Sequence, residues 1–217
     1  MKRSTSPETA QAKRPRGRPR AFDREAALAS AMEVFRAKGF EATSIHDLTA
    51  AMGINPPSLY SAFGDKENLF LEAIERYSKD SGESCPYCNE PTARGALEKY
   101  LTFAAHEFTE DSECRGCLLT MAATTSVNTS ARLQKLIAQK RASARERIRE
   151  RIKKGLEEGD VPAGTDASAL ADFYVTILNG MSLQAREGSS RKTLLAVVEH
   201  AMSVFPKVSK KKLTAVA

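Results

Sequence analysis

The chain has 217 residues, with 33 Lys and Arg against 27 Asp and Glu, a net charge of +6 and 41% apolar side chains. That length holds one or two domains with a real core. No run approaches the roughly 18 apolar residues of a membrane span, and the basic N-terminus has no apolar segment behind it, which argues against a secretory signal. A soluble, cytoplasmic protein is expected.

The charge is unevenly placed. Residues 1–20 hold Lys2, Arg3, Lys13, Arg14, Arg16, Arg18 and Arg20 against Glu8 alone, so the whole excess sits there and the remaining body is neutral. A basic tail on a neutral body reads as an arm for a polyanion. In KRPRGRPR, residues 13–20, prolines favour extended backbone and Gly17 clears bulk between Arg16 and Arg18. A narrow, extended strand of this kind fits an A·T-rich minor groove, and residues 15–19 resemble an AT-hook. The expectation is a disordered arm that adds affinity with little sequence choice. Removing residues 1–20 should flatten the salt dependence of DNA affinity, read by fluorescence anisotropy across a KCl series. An unchanged slope would remove this role.

Asp23 is placed to cap a first helix running to about residue 38, with Leu28, Met32 and Phe35 at helical spacing and Gly39 as its stop. Ser44, three residues before Asp47, makes a capping box, and Ile45, Leu48 and Met52 share one face. Gly53 supplies the left-handed residue that ends this second helix. Asn55 caps a third, with Pro56 at its first position. Leu59 and Phe63 then face inward, which leaves Ser58, Tyr60 and Ser61 outside. A fourth helix follows over about residues 66–79, with Leu69, Phe70, Ala73, Ile74 and Tyr77 inward. Two short capped helices across a tight turn, within residues 44–63, have the physical form of a DNA-reading element. Small groups at the start of the second helix let it approach base edges.

The stretch GINPPSLYSAFGDKENLF, residues 53–70, resembles the signature of TetR-type transcriptional regulators, and the likeness runs from Phe22 to Tyr77. The resemblance implies that Tyr60 and Lys66 hold DNA phosphates and that Asn55, Pro57 and Ser58 contact bases or backbone. Ser44 and Ser61, with Arg16 and Arg18 from the arm, complete the expected DNA-facing set. Where the family often carries aromatic or histidine side chains after the tyrosine, this chain has Ser61 and Ala62.

Residues 81–91 read as a loop. Thr92 caps a helix to about residue 109, a short apolar helix covers 116–126, and residues 128–130 start a long charged helix ending at Gly159. Its stripe is Leu133, Ile137, Ala144, Ile148, Ile152 and Leu156, with Glu150–Lys154 and Lys153–Glu157 spaced as i,i+4 pairs. The last two helices, about 166–187 and 190–205, are apolar over more than one face. Leu170, Phe173, Tyr174, Ile177 and Met181 form one stripe, and Ala171, Val175, Leu178 and Ser182 the next. A surface helix needs only one. Two imply burial against the chain's own core and against a partner, with Gly180 allowing close approach. The expected architecture is all-α, with about nine helices: arm 1–20, helix-turn-helix domain 21–81, effector-binding and dimerisation domain 82–206, basic tail 207–217. A homodimer joined through residues 166–205 as a four-helix bundle would set two recognition helices on a palindromic site.

The four cysteines fall in two pairs, Cys85 with Cys88 and Cys114 with Cys117. One shared zinc site is disfavoured, because a helix of about 27 Å at 1.5 Å per residue separates the pairs. CPYC resembles a glutaredoxin active site, but no strand precedes it. A redox switch, with Cys117 at a helix N-terminus as the better thiolate, and inert reduced thiols both stay open. His46, His106 and His200 are scattered, and no catalytic constellation, cofactor or metal site is expected. A ligand cavity should lie in the second domain, with Phe103, His106, Glu107, Met121, Thr125, Phe173, Tyr174 and Ile177 as candidate lining residues. The leading expectation is a DNA-binding transcriptional repressor released from its operator by a small ligand, and not an enzyme. The alternative is a cysteine-based redox or metal sensor with DNA binding as its output.

Overall fold

The structure, a computed structural model, describes residues 22–82, 89–111, 116–125 and 129–208. The expectations for the arm with Arg16 and Arg18, for Cys85, Cys88 and Cys114, and for the end of the tail lie outside the described residues. Among those residues there are nine helices and no strand.

Helix α1 (Arg24–Ala42) starts where the Asp23 carboxylate accepts the N–H groups of Glu25 and Ala26, at 2.9 and 3.2 Å. Its regular part stops at Gly39, at φ 77° and ψ 173°, and one further turn runs beyond that kink to Ala42. Helix α2 (Ile45–Met52) carries the complete capping box of Ser44 and Asp47 and ends on Gly53 in the left-handed region, at φ 65°. In α3 (Pro56–Phe63) the Asn55 side chain accepts the Ser58 N–H at 2.9 Å, and proline fills the first position. Helix α4 (Lys66–Gly82) follows directly. Phe35, Leu48, Leu59, Leu69, Phe70 and Ile74 from these four helices are fully buried, each contributing about 1.5–3 kcal/mol of transfer free energy. Phe35 and Phe70 pack with ring centroids 4.6 Å apart. These helices form the head.

The body comprises α5 (Ala93–Glu107), α6 (Leu118–Thr125), α7 (Ala131–Glu158), α8 (Ala167–Arg186) and α9 (Arg191–Ser203). Helix α7 joins two cores. Leu133 and Ile137 from its first half pack into the head core with Leu118 and Ala122 of α6. Ile148 and Ile152 from its second half pack into the body core with α5, α8 and α9. The sequence stripe on α7 is therefore one line split between two clusters. Polar contacts tie head to body as well. The Ser130 hydroxyl donates to Glu67 at 2.6 Å, Arg132 donates to Asn68 at 2.8 Å, and Lys140 pairs with Glu75 at 2.5 Å. Arg186, in the last turn of α8, donates to the Arg36 and Ala37 carbonyls of α1 at 2.8 and 2.5 Å.

Two local expectations change. On α7, Glu150 pairs with Lys153 at 3.0 Å and Arg149 at 3.4 Å, so Lys154 turns instead to Glu158 at 3.5 Å. On α8, the buried side chains are Ala171, Tyr174, Met181, Ser182 and Ala185, while Phe173 is 40% exposed. The division falls through the first sequence stripe, because Tyr174 and Phe173 are adjacent and point about 100° apart. The Tyr174 hydroxyl donates to the Ala201 carbonyl of α9 at 3.1 Å. Burial pushes its pKa to about 12, so it remains a donor at any ordinary pH.

Candidate nucleic-acid interface and effector cavity

The expected DNA-facing residues within the described chain divide into those that hold the head together and those that α3 presents. Ser44 accepts the Asp47 N–H at 3.1 Å and donates to its carboxylate at 2.7 Å. The Lys38 ammonium at 2.5 Å, aided by the Ser44 hydroxyl and N–H, holds that carboxyl far below the usual carboxylate range. Asn55 is committed as the cap of α3. Lys66 is half-buried, donating to the Thr43 carbonyl at 2.8 Å with its ammonium 4.5 Å from the Phe40 ring centroid, so it pins the start of α4 to the α1–α2 connection. Pro57, Tyr60 and Ser61 stand on the outside of α3, and Ser58 is half-buried beside them. The Tyr60 side chain is 48% exposed and makes no hydrogen bond, ion pair or ring contact among the described residues. A large aromatic left in water on a helix whose other face is locked by Leu59 and Phe63 is a surface held ready for a partner.

A second apolar surface lies on α8 and α9. Phe173 and Ile177 meet Ala196, Val197 and Val204 around a shallow groove, with Val204 61% exposed. Gly180 lies on the same side of α8, with open space where a Cβ would stand.

A partly open cavity, of about 250 Å³, lies at the seam between the two cores. Tyr77 and Leu119 reach it from the head core, and Phe108, Ile148 and Leu178 from the body core. Burial holds the Tyr77 phenol well above its ordinary pKa, reinforced by its neighbours Cys117 and Glu107. Of the expected lining residues only Glu107 is in this wall. Phe103 and His106 line an outer groove on α5, because the inward stripe of that helix turns Tyr100, Ala104 and Glu107 to the seam instead. Phe173 and Ile177 lie on the open face of α8, Tyr174 is buried under α9, and Met121 is packed inside. The Thr125 side chain lies outside the described residues. Sequence reasoning did not single out Lys140, Arg141 and Arg147 of α7, which are in the wall. Their spacing around Ala144 and Ile148 was the available signal.

Cys117 is half-buried in the same wall, its thiol free and its N–H donating to the Ser182 hydroxyl at 2.8 Å. Among the described residues there is no group of three metal-ligating side chains.

A short capped helix offered to solvent by a rigid head, joined through α7 to a body with a cavity, defines a helix-turn-helix regulator of transcription. Comparison with known proteins narrows the class. Residues 27–73 match the bacterial regulatory proteins of the tetR family, and residues 94–201 match a tetracyclin repressor-like C-terminal domain. The HTH-type transcriptional repressor ComR of Escherichia coli (strain K12) is 33% identical over 201 residues, spanning 91% of this chain and 96% of that protein. The HTH-type transcriptional repressor BdcR of the same strain is 32% identical over 184 residues, spanning 83% and 87%. A cysteine mutant of the TetR family transcriptional regulator CifR, solved in complex with 26bp double-strand operator DNA, is 42% identical with a TM-score of 0.83, covering 88% of this chain and 100% of that one. The chain belongs to the tetR family of bacterial regulatory proteins.

Proposed function

We propose that this protein is a transcriptional repressor that grips a palindromic operator as a homodimer and lets go when a small molecule enters the seam cavity. The observation that carries the reading is the outer face of α3, where Pro57, Tyr60 and Ser61 are presented to solvent, with Ser58 half-buried beside them, while Leu59 and Phe63 anchor the helix from behind. Tyr60 takes a phosphate through its hydroxyl, Ser58 and Ser61 approach base edges or backbone, and Asn55 keeps the helix start in register. Lys66 holds the head together through Thr43 and has N–H groups left for the backbone of the duplex.

Dimerisation runs through α8 and α9, whose open apolar face fits a second copy of itself. The cavity sits where α7 passes from head core to body core, so filling it changes the angle between the two. In a dimer, that angle sets the separation of the recognition helices, and a ligand shifts operator affinity by preferring one separation. The relatives ComR and BdcR are named as repressors, and a CifR mutant is seen on operator DNA, which supports the same output here. The test is a footprint with purified protein on the DNA upstream of its own gene. A protected stretch with two-fold symmetry is expected. Protection no stronger than on unrelated DNA would overturn the reading.

A further inference from the structure

Helix α7 carries six arginines, and their partners divide them sharply. Arg132 donates to Asn68, Arg145 to Asp172, Arg149 to Glu146 and Arg151 to the Glu90 carbonyl. Arg141 and Arg147 have no hydrogen bond or ion pair among the described residues, and these are the two that line the seam cavity. Lys140 beside them is neutralised by Glu75. Glu107, across the cavity on α5, has partners of its own. Two guanidiniums thus face a cavity of mixed lining, in which Tyr77, Ser78, Thr120 and Asn179 are neutral polar groups, with one engaged carboxylate opposite, and a guanidinium is the side chain best shaped to take an acid group through two N–H donors.

The cavity also has a way out. A groove of about 510 Å³ between α5 and α7 shares Tyr100, Ser143, Ala144, Arg147 and Ile148 with it and continues over Ala96 and Leu97, with Glu146, Glu150, Arg151 and Lys154, each ion-paired within the chain, also lining it. Arg147 stands where the two spaces join and is exposed, while Arg141 is half-buried further in. A molecule filling both spaces would have an acid group at the arginines and an apolar body along Ala96, Leu97 and Ile148. The seam cavity, at about 250 Å³, lies below the usual range of about 300–1,000 Å³ for ligand pockets, which favours a slender ligand over a bulky one.

We infer that the seam cavity and its α5–α7 groove bind an amphiphilic carboxylate, with Arg141 and Arg147 holding the acid group. The inference rests on the seam cavity being the effector site of the proposed repressor. The probe is decanoate below its micellar concentration, against decanol as the neutral match, titrated calorimetrically into the full chain. Wild type is expected to bind decanoate at least tenfold more tightly than decanol. An R141Q/R147Q double variant should bind both at the level of the alcohol, an R141K/R147K variant should recover part of the preference, and all three proteins should melt alike.

Equal affinity for acid and alcohol, or a preference that survives in R141Q/R147Q, would overturn the carboxylate site. Operator anisotropy is run in parallel, because neither arginine lies near α3. Operator binding without any decanoate preference would leave the repressor reading standing and sink this one. A preference abolished by R141Q/R147Q on a protein whose operator affinity ignores decanoate would keep the carboxylate site and sink the effector reading.

Discussion

Replacing Phe173 with Asp should give a folded monomer whose operator affinity is lower by at least about a hundredfold. Phe173 is a large apolar side chain left 40% exposed, and Ile177, Val197 and Val204 surround it in one groove. In a two-fold interface the same patch serves both copies, so one substitution places two carboxylates in the contact. A buried charge without a partner costs several kcal/mol, more than the apolar gain this patch can return. In the monomer the new side chain sits in water, so thermal stability should change little. The loss at the operator follows from linkage. Two half-sites read by one dimer gain an effective concentration that separate heads lack, worth about 10²–10⁴ in affinity. Sedimentation and operator anisotropy read the two effects. Phe103→Asp is the control: it is 38% exposed on α5, away from this face, and should leave both unchanged. A dimeric Phe173→Asp protein with wild-type operator affinity would remove the proposed interface.

The head was readable because its information is local. Asp23, Ser44, Asn55 and Gly53 each act on backbone groups within three or four residues, and such caps and turn residues carry their geometry with them. Leu59 and Phe63 behaved in the same way, since a short helix with two large apolar residues four apart has one way to face. The body was legible in its helices and not in its cavity. Glu107 and Phe103 differ by about 40° around α5, and which of them meets the seam depends on how α5 crosses α7, a long-range fact with no local signal. The charge on α7 was silent for a related reason. Arginines at 145, 149 and 151 are partnered while those at 141 and 147 face the cavity. In the sequence all of them look like the polar side of a long helix. The kink at Gly39 marks a middle case: the stop was visible, but the further turn to Ala42 depends on Thr43, whose hydroxyl donates back to the Gly39 carbonyl at 2.6 Å.

Tyr60→Phe, which removes one oxygen, should weaken operator binding nearly as much as Tyr60→Ala, by at least about a hundredfold. No described residue holds the hydroxyl, so losing it should cost no folding stability and the melting temperature should stay constant. On the operator the role proposed for the same hydroxyl is to donate to a phosphate. A hydrogen bond to a charged group is worth about 1.5–3 kcal/mol, and a symmetric dimer loses two, where each 1.4 kcal/mol is about tenfold. The loss should be the same on every operator variant, because phosphate contacts fix register without reading sequence. The salt slope should not move, since no counterion is released by a neutral phenol. Lys66→Met supplies the contrast. Its ammonium bonds the Thr43 carbonyl and lies over Phe40, so that variant should melt lower as well as bind less. A Tyr60→Phe protein that binds like the parent would show that the phenol is not a phosphate ligand. The exposed face of α3 would then have to bind the duplex through Pro57, Ser58 and Ser61 alone, which are too small to account for an aromatic left in water at that position.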